Sequence, residues 1–193
     1  MKKIPTLFKY VDGKCSREPR QDLLDMLTNP NYKVVPTLKF DGTAILYSNG
    51  EWYGRYCRRE GKDLPENFIP CTYVSETKKT FGWVPTSSTL FGYKAALEEA
   101  IGNRGWPEAS YELVGPKINN NPHGLDHHQL VIHGGFTLWD EVFGPAALSK
   151  HRNDLASYLK SQFSLIEEGE GIVYWLNDEP FCKIRHKDFL KME

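Results

Sequence analysis

The 193-residue chain contains no apolar run that approaches the ~18 to 20 residues needed by a membrane-spanning helix. Its opening residues, Met1 to Lys9, are basic at the start, but their apolar stretch is interrupted by Pro5 and is too short for a secretory signal peptide. We therefore expect a cytoplasmic protein that has no membrane partner.

Several sequence signatures are also missing. The four cysteines are scattered without a C-x-x-C motif, so neither a disulfide framework nor a thiolate zinc site is indicated. The glycine-rich signatures of P-loop kinases and of dinucleotide-binding enzymes are absent. The formal net charge of −1 argues against a protein that coats nucleic acid through bulk positive charge, although it leaves room for local basic clusters.

The composition is that of an ordinary globular protein, with 40% hydrophobic and 25% charged residues. The length fits one domain, and the chain shows no internal repeat, low-complexity tract or linker-like stretch. We therefore expect a single domain over residues 1–193, with a monomer favoured.

Patterns of apolar and turn residues predict more strands than helices. The dipeptide Asn49-Gly50, which lies between two β-rich runs, is a strong hairpin signal, and a second turn is predicted over 177–180. The predicted strands are 33–40, Thr43–Ser48, Glu51–Cys57, Tyr111–Val114, Leu130–Leu138, Gly171–Leu176 and Phe181–Arg185, and the predicted helices are Arg20–Leu27, Ser87–Ile101 and Leu148–Leu165. Strands joined by hairpins favour an α+β fold with antiparallel sheets and flanking helices.

The first motif with a chemical meaning is Lys39-Phe40-Asp41-Gly42, a lysine at a strand end before a glycine turn. Taken alone, this tetrapeptide is more typical of a solvated hairpin lysine than of a nucleophile. Three later segments favour the second interpretation, namely Tyr111-Glu112, Glu170-Gly171-Ile172-Val173 and Lys183-Ile184-Arg185, in this order.

Together these segments resemble the motifs of the covalent nucleotidyltransferases, the superfamily of ATP-dependent ligases and mRNA capping enzymes. Further stretches are similar to the compact vertebrate-type 5′-to-3′ RNA ligase family, whose members also occur in viruses and bacteria. These stretches are Gly82-Trp83-Val84-Pro85, Glu112-Leu113-Val114-Gly115, residues 118–125 and His133-Gly134-Gly135-Phe136. The resemblance spans residues 39–189 and implies a nucleotidyltransferase domain without an OB domain.

The resemblance implies roles for nine residues. Lys39 is the expected nucleophile, and Glu170 is the expected ligand of Mg²⁺ or Mn²⁺. The residues expected to bind the nucleotide are Leu38, Arg55, Arg58, Glu112 (through the ribose), Phe136 (under adenine), Lys183 and Arg185, and Lys183 is also assigned to catalysis. The implied function is that of an ATP-dependent RNA ligase in RNA repair, which joins 5′-phosphate and 3′-hydroxyl ends through lysyl-AMP and an adenylylated RNA end.

Cations near Lys39 suit this chemistry. A free lysine is mostly protonated at neutral pH, whereas attack on phosphorus needs the uncharged amine. Positive charge from Lys183, Arg185 and a metal ion would favour the uncharged amine and would also stabilise the phosphates in the transition state. One or two carboxylates suffice for Mg²⁺, which keeps several of its waters.

Two of the expected site residues have a second interpretation. Glu170 ends the acidic run Glu167-Glu168-Gly169-Glu170, which alone is typical of a solvated loop. In a regular strand Arg55 and Arg59 point to one face and Arg58 points to the other, so the choice of the phosphate-binding arginine stays open.

Base recognition, metal binding and overall function also stay open at the level of the sequence. Leu38 stands where such ligases often carry a glutamate that recognises adenine, so selectivity for the base through a side chain is not indicated, although a backbone carbonyl could still accept from adenine N6. The histidines at 123, 127, 128 and 133 could form a zinc site, although their spacing fits neither the H-E-x-x-H motif nor a zinc-finger pattern. Besides an RNA ligase, the sequence allows a DNA ligase, a GTP-using capping-type enzyme, or a non-catalytic module that binds nucleic-acid ends.

Overall fold

The computed structural model describes residues 3–166 and 169–190. Over this range the protein is a mixed α/β structure built mainly from antiparallel sheets, as the hairpin pattern predicts. The strands are β1 (Phe8–Val11), β2 (Lys14–Pro19), β3 (Val34–Lys39), β4 (Thr43–Ser48), β5 (Glu51–Arg59), β6 (Ile69–Val74), β7 (Lys79–Pro85), β8 (Ala109–Val114), β9 (Gln129–Ile132), β10 (Gly171–Leu176) and β11 (Glu179–Arg185), and the α-helices are α1 (Gln21–Leu27), α2 (Lys94–Ile101), α3 (Asp140–Phe143), α4 (Pro145–Lys150), α5 (Leu155–Gln162) and α6 (His186–Phe189). None of these helices is long and apolar enough to cross a membrane.

The described chain divides into two compact units. Unit 1 contains Lys3 and residues 41–133, and its six-stranded sheet has the order β6-β7-β5-β4-β8-β9, with α2 packed on a core that includes Ile45. Unit 2 contains residues 4–40 and the described residues from 134 onward, with the three-stranded sheet β11-β10-β3, the hairpin β1-β2 and the other helices. The expected single domain over 1–193 stays a prediction.

Both predicted tight turns are present. Asn49 and Gly50, with φ of 51° and 76°, join β4 to β5. Asn177 and Asp178, with φ of 50° and 66°, join β10 to β11, so β11 begins earlier than predicted. Two central residues with positive φ are typical of a type I′ turn, whose twist matches that of the flanking strands.

The predicted helix over 87–101 is wrong in its first half, because α2 begins only at Lys94. The residues before it form successive turns, in which the Phe91 N–H donates to the Ser88 carbonyl. This path places the Phe91 ring against Gly54, where an added Cβ would lie 2.2 Å from the ring. Packing of one aromatic ring on the sheet therefore outweighs the helical spacing of the apolar residues.

The predicted helix over 148–165 is also interrupted, because residues 151–154 separate α4 from α5. Arg152 in this break donates to the Asp25 carboxylate at 2.6 Å and to the Thr28 hydroxyl at 2.8 Å. These contacts connect the break to the end of α1, so a tertiary contact replaces one helical turn.

The predicted strand over 130–138 is divided as well. Strand β9 ends at Ile132, and Gly134 then adopts a φ of 78°. Thr137 instead forms an antiparallel bridge with Thr37 of β3. Gly134 is required there because an added Cβ would lie 2.9 Å from the indole ring of Trp175.

Strands β1, β2, β6 and β7 are not among the predicted strands. The sequence of β2, KCSREP, is almost entirely polar, while Pro70 in β6 and Gly82 in β7 weaken the strand pattern. At Gly82 an added Cβ would lie 2.3 Å from the Ile69 carbonyl oxygen. The close approach of the neighbouring strand β6 thus explains the glycine inside β7.

Gly171, at the start of β10, is expected to be essential for the stability of unit 2. An added Cβ would lie 2.0 Å from the Ile184 carbonyl oxygen and 2.7 Å from the Cα of Arg185, and such backbone atoms cannot rotate away. We expect Gly171→Ala to lower the free energy of unfolding by about 1–3 kcal/mol or more, measured by urea denaturation. Gly92→Ala is the control, because nothing lies within 4 Å of its added Cβ. Equal effects of the two substitutions would contradict this account.

Candidate active site

One face of the three-stranded sheet in unit 2 carries the predicted basic residues. The register places Gly171 of β10 between Lys39 of β3 and Arg185 of β11. Val173, two residues further along β10, lies opposite Lys183 of β11. Because alternate residues of a strand share a face, Lys39, Lys183 and Arg185 all start from the same face of this sheet.

Lys39 ends β3, and its ammonium group is paired with Glu170. The Nζ atom donates to Glu170 Oε2 at 2.5 Å and to the Phe40 carbonyl at 3.3 Å. The two side chains are only 20% and 17% exposed. The backbone of Glu170 is fixed too, since its N–H donates to the Lys39 carbonyl and its carbonyl accepts from the His186 N–H.

Glu170 has a second cationic neighbour that the sequence did not predict. Lys187 Nζ lies 3.1 Å from Glu170 Oε1, so each carboxylate oxygen faces one ammonium group. Burial raises the pKa of Glu170, but the charges and hydrogen bonds of Lys39 and Lys187 outweigh burial and lower that pKa overall. Glu170 is therefore an enclosed, ionised carboxylate, and the interpretation as a solvated loop residue does not describe it. The two preceding glutamates of the acidic run, at 167 and 168, lie outside the described residues.

Lys183 is half-buried, and its ammonium group makes no hydrogen bond or ion pair with any residue that the structure describes. Burial, followed by the charges of Lys39 and Arg185, lowers the pKa of Lys183 from 10.5 to about 8, against the opposite effect of Glu170 and Asp188. At neutral pH the side chain is therefore mostly charged, but it holds its proton weakly. Such a group suits contact with a phosphate oxygen.

Arg185 forms a two-pronged ion pair with a carboxylate that is 1% exposed. Its Nη2 and Nε donate to Asp188 at 2.8 and 3.3 Å. Nη2 also donates to the Tyr10 hydroxyl at 3.0 Å, and that hydroxyl donates to Asp188 at 2.7 Å. Burial lowers the pKa of Arg185, but Asp188 outweighs burial and raises it. Much of the donor capacity of Arg185 is thus used inside unit 2, and its contact with a nucleotide stays a prediction.

Leu38 and Phe136 meet through the backbone. The Leu38 N–H donates to the Phe136 carbonyl at 2.8 Å, so the polar backbone groups of the residue before Lys39 face the 136–138 segment. The Phe136 ring is 52% exposed and meets the Phe40 ring edge-on, with 5.2 Å between the centroids. An exposed ring is accessible to a flat ligand, which is compatible with the adenine-stacking role predicted for Phe136.

In unit 1, Glu112 holds the glycine turn of the motif that contains Lys39. Its Oε1 accepts from the Gly42 N–H at 3.0 Å, and its Oε2 lies 2.8 Å from His133 Nε2. His133 is in turn 3.0 Å from the Ser110 hydroxyl through Nδ1. Each carboxylate oxygen keeps a second lone pair, so the predicted contact with ribose is compatible with these bonds.

Strand β5 places the three candidate arginines on two different faces of the sheet, as the alternation of side chains along a strand predicts. Its register with β7 runs without a bulge to Arg59, so Arg55 and Arg59 lie on one face and Arg58 lies on the other. Arg58 Nε donates to the Lys62 carbonyl at 2.5 Å. This bond gives Arg58 a structural role in its own hairpin, beside its predicted one.

Arg55 and Glu112 share a face of the six-stranded sheet. Ala44 of β4 pairs with Glu112, and the next residue of β4 pairs with Gly54, which precedes Arg55. Only the small side chain of Ala44 therefore lies between them on this face. The Arg55 guanidinium lies over the Trp83 ring at 5.1 Å from its centroid, and burial lowers the pKa of Arg55.

The four histidines of the possible zinc site have separate partners. His128 Nδ1 lies 2.7 Å from Glu99, His133 contacts Glu112, His127 lies 3.0 Å from Gln129, and His123 accepts from the Asp41 N–H. Within residues 3–166 and 169–190, no group of three or more His, Cys, Asp or Glu side chains is placed to hold a metal ion. A metal held at Glu170 would therefore have fewer than three protein ligands of these types within the described residues.

Comparison with protein-family models and with curated proteins found no match. The function is therefore inferred from the residues and from the motif resemblance described above.

The lowered pKa of Lys183 has a consequence for stability. The folded chain releases this proton near pH 8 and the unfolded chain near 10.5, so the unfolded state binds more protons between these values and stability rises with pH there. Lys183→Met removes the buried charge. We expect it to stabilise the protein by on the order of 2–3 kcal/mol below pH 8, an advantage that shrinks towards pH 10.5.

The measurement is urea denaturation in metal-free buffer between pH 7 and 10. Lys160→Met, which replaces an exposed lysine of α5, is the control and should follow the wild-type profile. A pH-independent difference between Lys183→Met and the wild type would show that Lys183 is not the titrating group.

Proposed function

We propose that the protein is a nucleotidyltransferase of the RNA ligase type, which uses ATP to join an RNA 5′-phosphate to an RNA 3′-hydroxyl. The observation that carries the proposal is the largely buried pair of Lys39 and Glu170, beside Lys183, which has no partner among the described residues. A lysine held by a carboxylate among further cations is what covalent attack on a polyphosphate requires, because its amine is positioned and its surroundings favour anions.

The proposed reaction has three steps, and in each step one bond to phosphorus forms while another breaks. The uncharged Nζ of Lys39 forms a bond to the α-phosphorus of ATP, while the bond to pyrophosphate breaks and pyrophosphate leaves. The AMP group then passes to the 5′-phosphate of RNA, which frees Lys39. Finally the RNA 3′-hydroxyl attacks that phosphate, AMP leaves, and the phosphodiester is complete.

The charges of unit 2 support the first step. Glu170 holds the amine of Lys39 in place through an ion pair with 2.5 Å between Nζ and Oε2. Glu170 is the residue that would hold Mg²⁺ or Mn²⁺, and a bound divalent ion supplies charge that stabilises the phosphates. Lys183, which has no partner among the described residues, is free to bind a phosphate oxygen. The nucleotide roles of Arg55, Arg58 and Glu112 in unit 1 stay predictions from the resemblance.

Covalent labelling tests the nucleophile. Incubation with α-labelled ATP and Mg²⁺, followed by a denaturing gel, should give a labelled protein band, and a parallel incubation with α-labelled GTP measures how far the base is distinguished. Lys39→Ala should abolish the band, because it removes the amine that is held beside Glu170. Lys160→Ala is the matched control and should label like the wild type. Labelling of the Lys39→Ala variant would show that another lysine reacts.

Matched nicked duplexes test the substrate class. An all-RNA nick should be sealed far faster than an all-DNA nick of the same sequence, because the 2′-hydroxyl is the local feature by which a protein distinguishes RNA from DNA. Two unpaired strands should be joined poorly, since pairing supplies the alignment of the ends. The readout is the rate of product formation by preadenylylated enzyme. Equal rates on the two nicks would favour a DNA ligase.

A further inference from the structure

We propose that one face of strands β5 and β7, defined by Arg59, Lys79, Phe81 and Arg55 and here called the cation strip, binds the phosphate backbone of an unpaired segment of the RNA substrate. The inference rests on the RNA-ligase function proposed above. It extends the candidate phosphate contacts of Arg55 and Arg59 to an RNA-binding surface that also contains Lys79 and Phe81, which are not motif residues.

The strip begins with two cations in direct opposition. The register pairs Arg59 of β5 with Lys79 of β7, and like charges directly opposite each other destabilise an antiparallel pair. Neither side chain forms an ion pair with any residue in the described part of the chain. The repulsion therefore has no compensation within the described residues, and an external anion would relieve it.

Two neighbouring cations of the same hairpins, Lys78 and Arg58, do have partners within the described residues. Lys78 lies 3.6 Å from the Glu60 carboxylate, and Arg58, on the opposite face, donates to the Lys62 carbonyl. Among these four cations of the described chain, the lack of a partner is thus confined to the Arg59–Lys79 pair.

The strip continues along the strands from these cations to an aromatic ring and a further cation. Phe81 pairs with the exposed Cys57, and the next row contains Arg55, whose guanidinium lies 5.6 Å from the Phe81 ring centroid. Lys3 Nζ lies 5.5 Å from the same centroid. From Arg59 to Arg55 the strip is about 13 Å long, at ~3.3 Å per strand residue. Cations that alternate with aromatic rings are typical of surfaces that bind single-stranded nucleic acid.

The direction of the strip also fits RNA rather than an acidic peptide. Its inner end, Arg55, shares the sheet face with Glu112, the predicted ribose ligand, with Ala44 between them. A strand of RNA that lies on the strip therefore leads along unit 1 towards a residue suited to ribose hydroxyls. An acidic peptide has no ribose hydroxyls to donate to that carboxylate, and its own carboxylates would be repelled there.

Binding of a 5′-phosphorylated single-stranded RNA, measured by fluorescence anisotropy in the absence of ATP, tests the proposal. The double variant Arg59→Gln/Lys79→Gln should bind about tenfold or more weakly at low salt. The slope of log K against log[KCl] should become shallower by about 1.4, because two phosphate contacts are lost. The matched control, Lys62→Gln/Lys78→Gln, removes two cations of the same hairpins outside the strip and should bind like the wild type.

Three further readouts separate the outcomes. The midpoint of thermal unfolding of the double variant should equal or exceed that of the wild type, since a like-charge pair has been removed. Unchanged RNA binding, or equal losses in variant and control, would overturn the proposal, and so would competition by a poly-glutamate peptide at the same concentration as RNA. Labelling with α-labelled ATP is recorded separately, so its failure in the wild type would refute the ligase function and leave the RNA-binding result to stand by itself.

Discussion

The ion pair between Lys39 and Glu170 is the contact on which the arrangement of unit 2 depends. It joins residues 131 positions apart in the chain, so β3 and β10 must pair in one register for it to form. The loop before β10 must also pass close to β3, and Gly169 allows this, since an added Cβ there would lie 2.4 Å from the Leu38 side chain. A largely buried pair of this kind tolerates loss of one partner poorly, because the remaining charge stays enclosed.

The surroundings of that pair contain more positive than negative charge. Lys39 and Lys187 share one carboxylate, Lys183 has none among the described residues, and Arg185 is neutralised by Asp188. Burial is the largest cause of the lowered pKa of Lys183, and the charges of Lys39 and Arg185 lower this pKa further, so the excess is unfavourable in the protein alone. A polyphosphate would reverse the balance, since it brings the negative charge that these cations lack. Local charge imbalance of this kind is typical of a binding site rather than of a structural ion-pair network.

The sequence predicts the local features of the fold better than its long-range contacts. The Asn49-Gly50 turn follows from backbone preferences alone, and the strand parity of Arg55 and Arg58 follows from a period of two. The first half of the helix predicted over 87–101 is wrong because the Phe91 ring packs on Gly54, a contact that no local pattern contains.

In the candidate site, too, the contacts between residues far apart in the chain are the part that local sequence patterns do not predict. Lys39 and Glu170 stand out in the sequence only through the motif resemblance, because each alone is typical of a solvated turn. Lys187 was missed, and its one local signal is the alternation of basic residues from Lys183 onward. The buried partner of Arg185, Asp188, was missed too, since a single aspartate after a strand carries no sign of burial.

The net charge of −1 is a property of the whole chain, whereas binding of a polyanion depends on where the unpaired charges lie. Unit 2 leaves Lys183 without a partner among its described residues, and unit 1 places Arg59 opposite Lys79. A nearly neutral protein with such positions gains little long-range attraction for RNA, so its affinity has to come from a few short contacts. The slope of log K against log salt concentration would then be proportional to the number of those contacts, and it would be small because they are few. Under the proposed function, selectivity for nucleotide and RNA would therefore rest on geometry within each unit rather than on bulk charge.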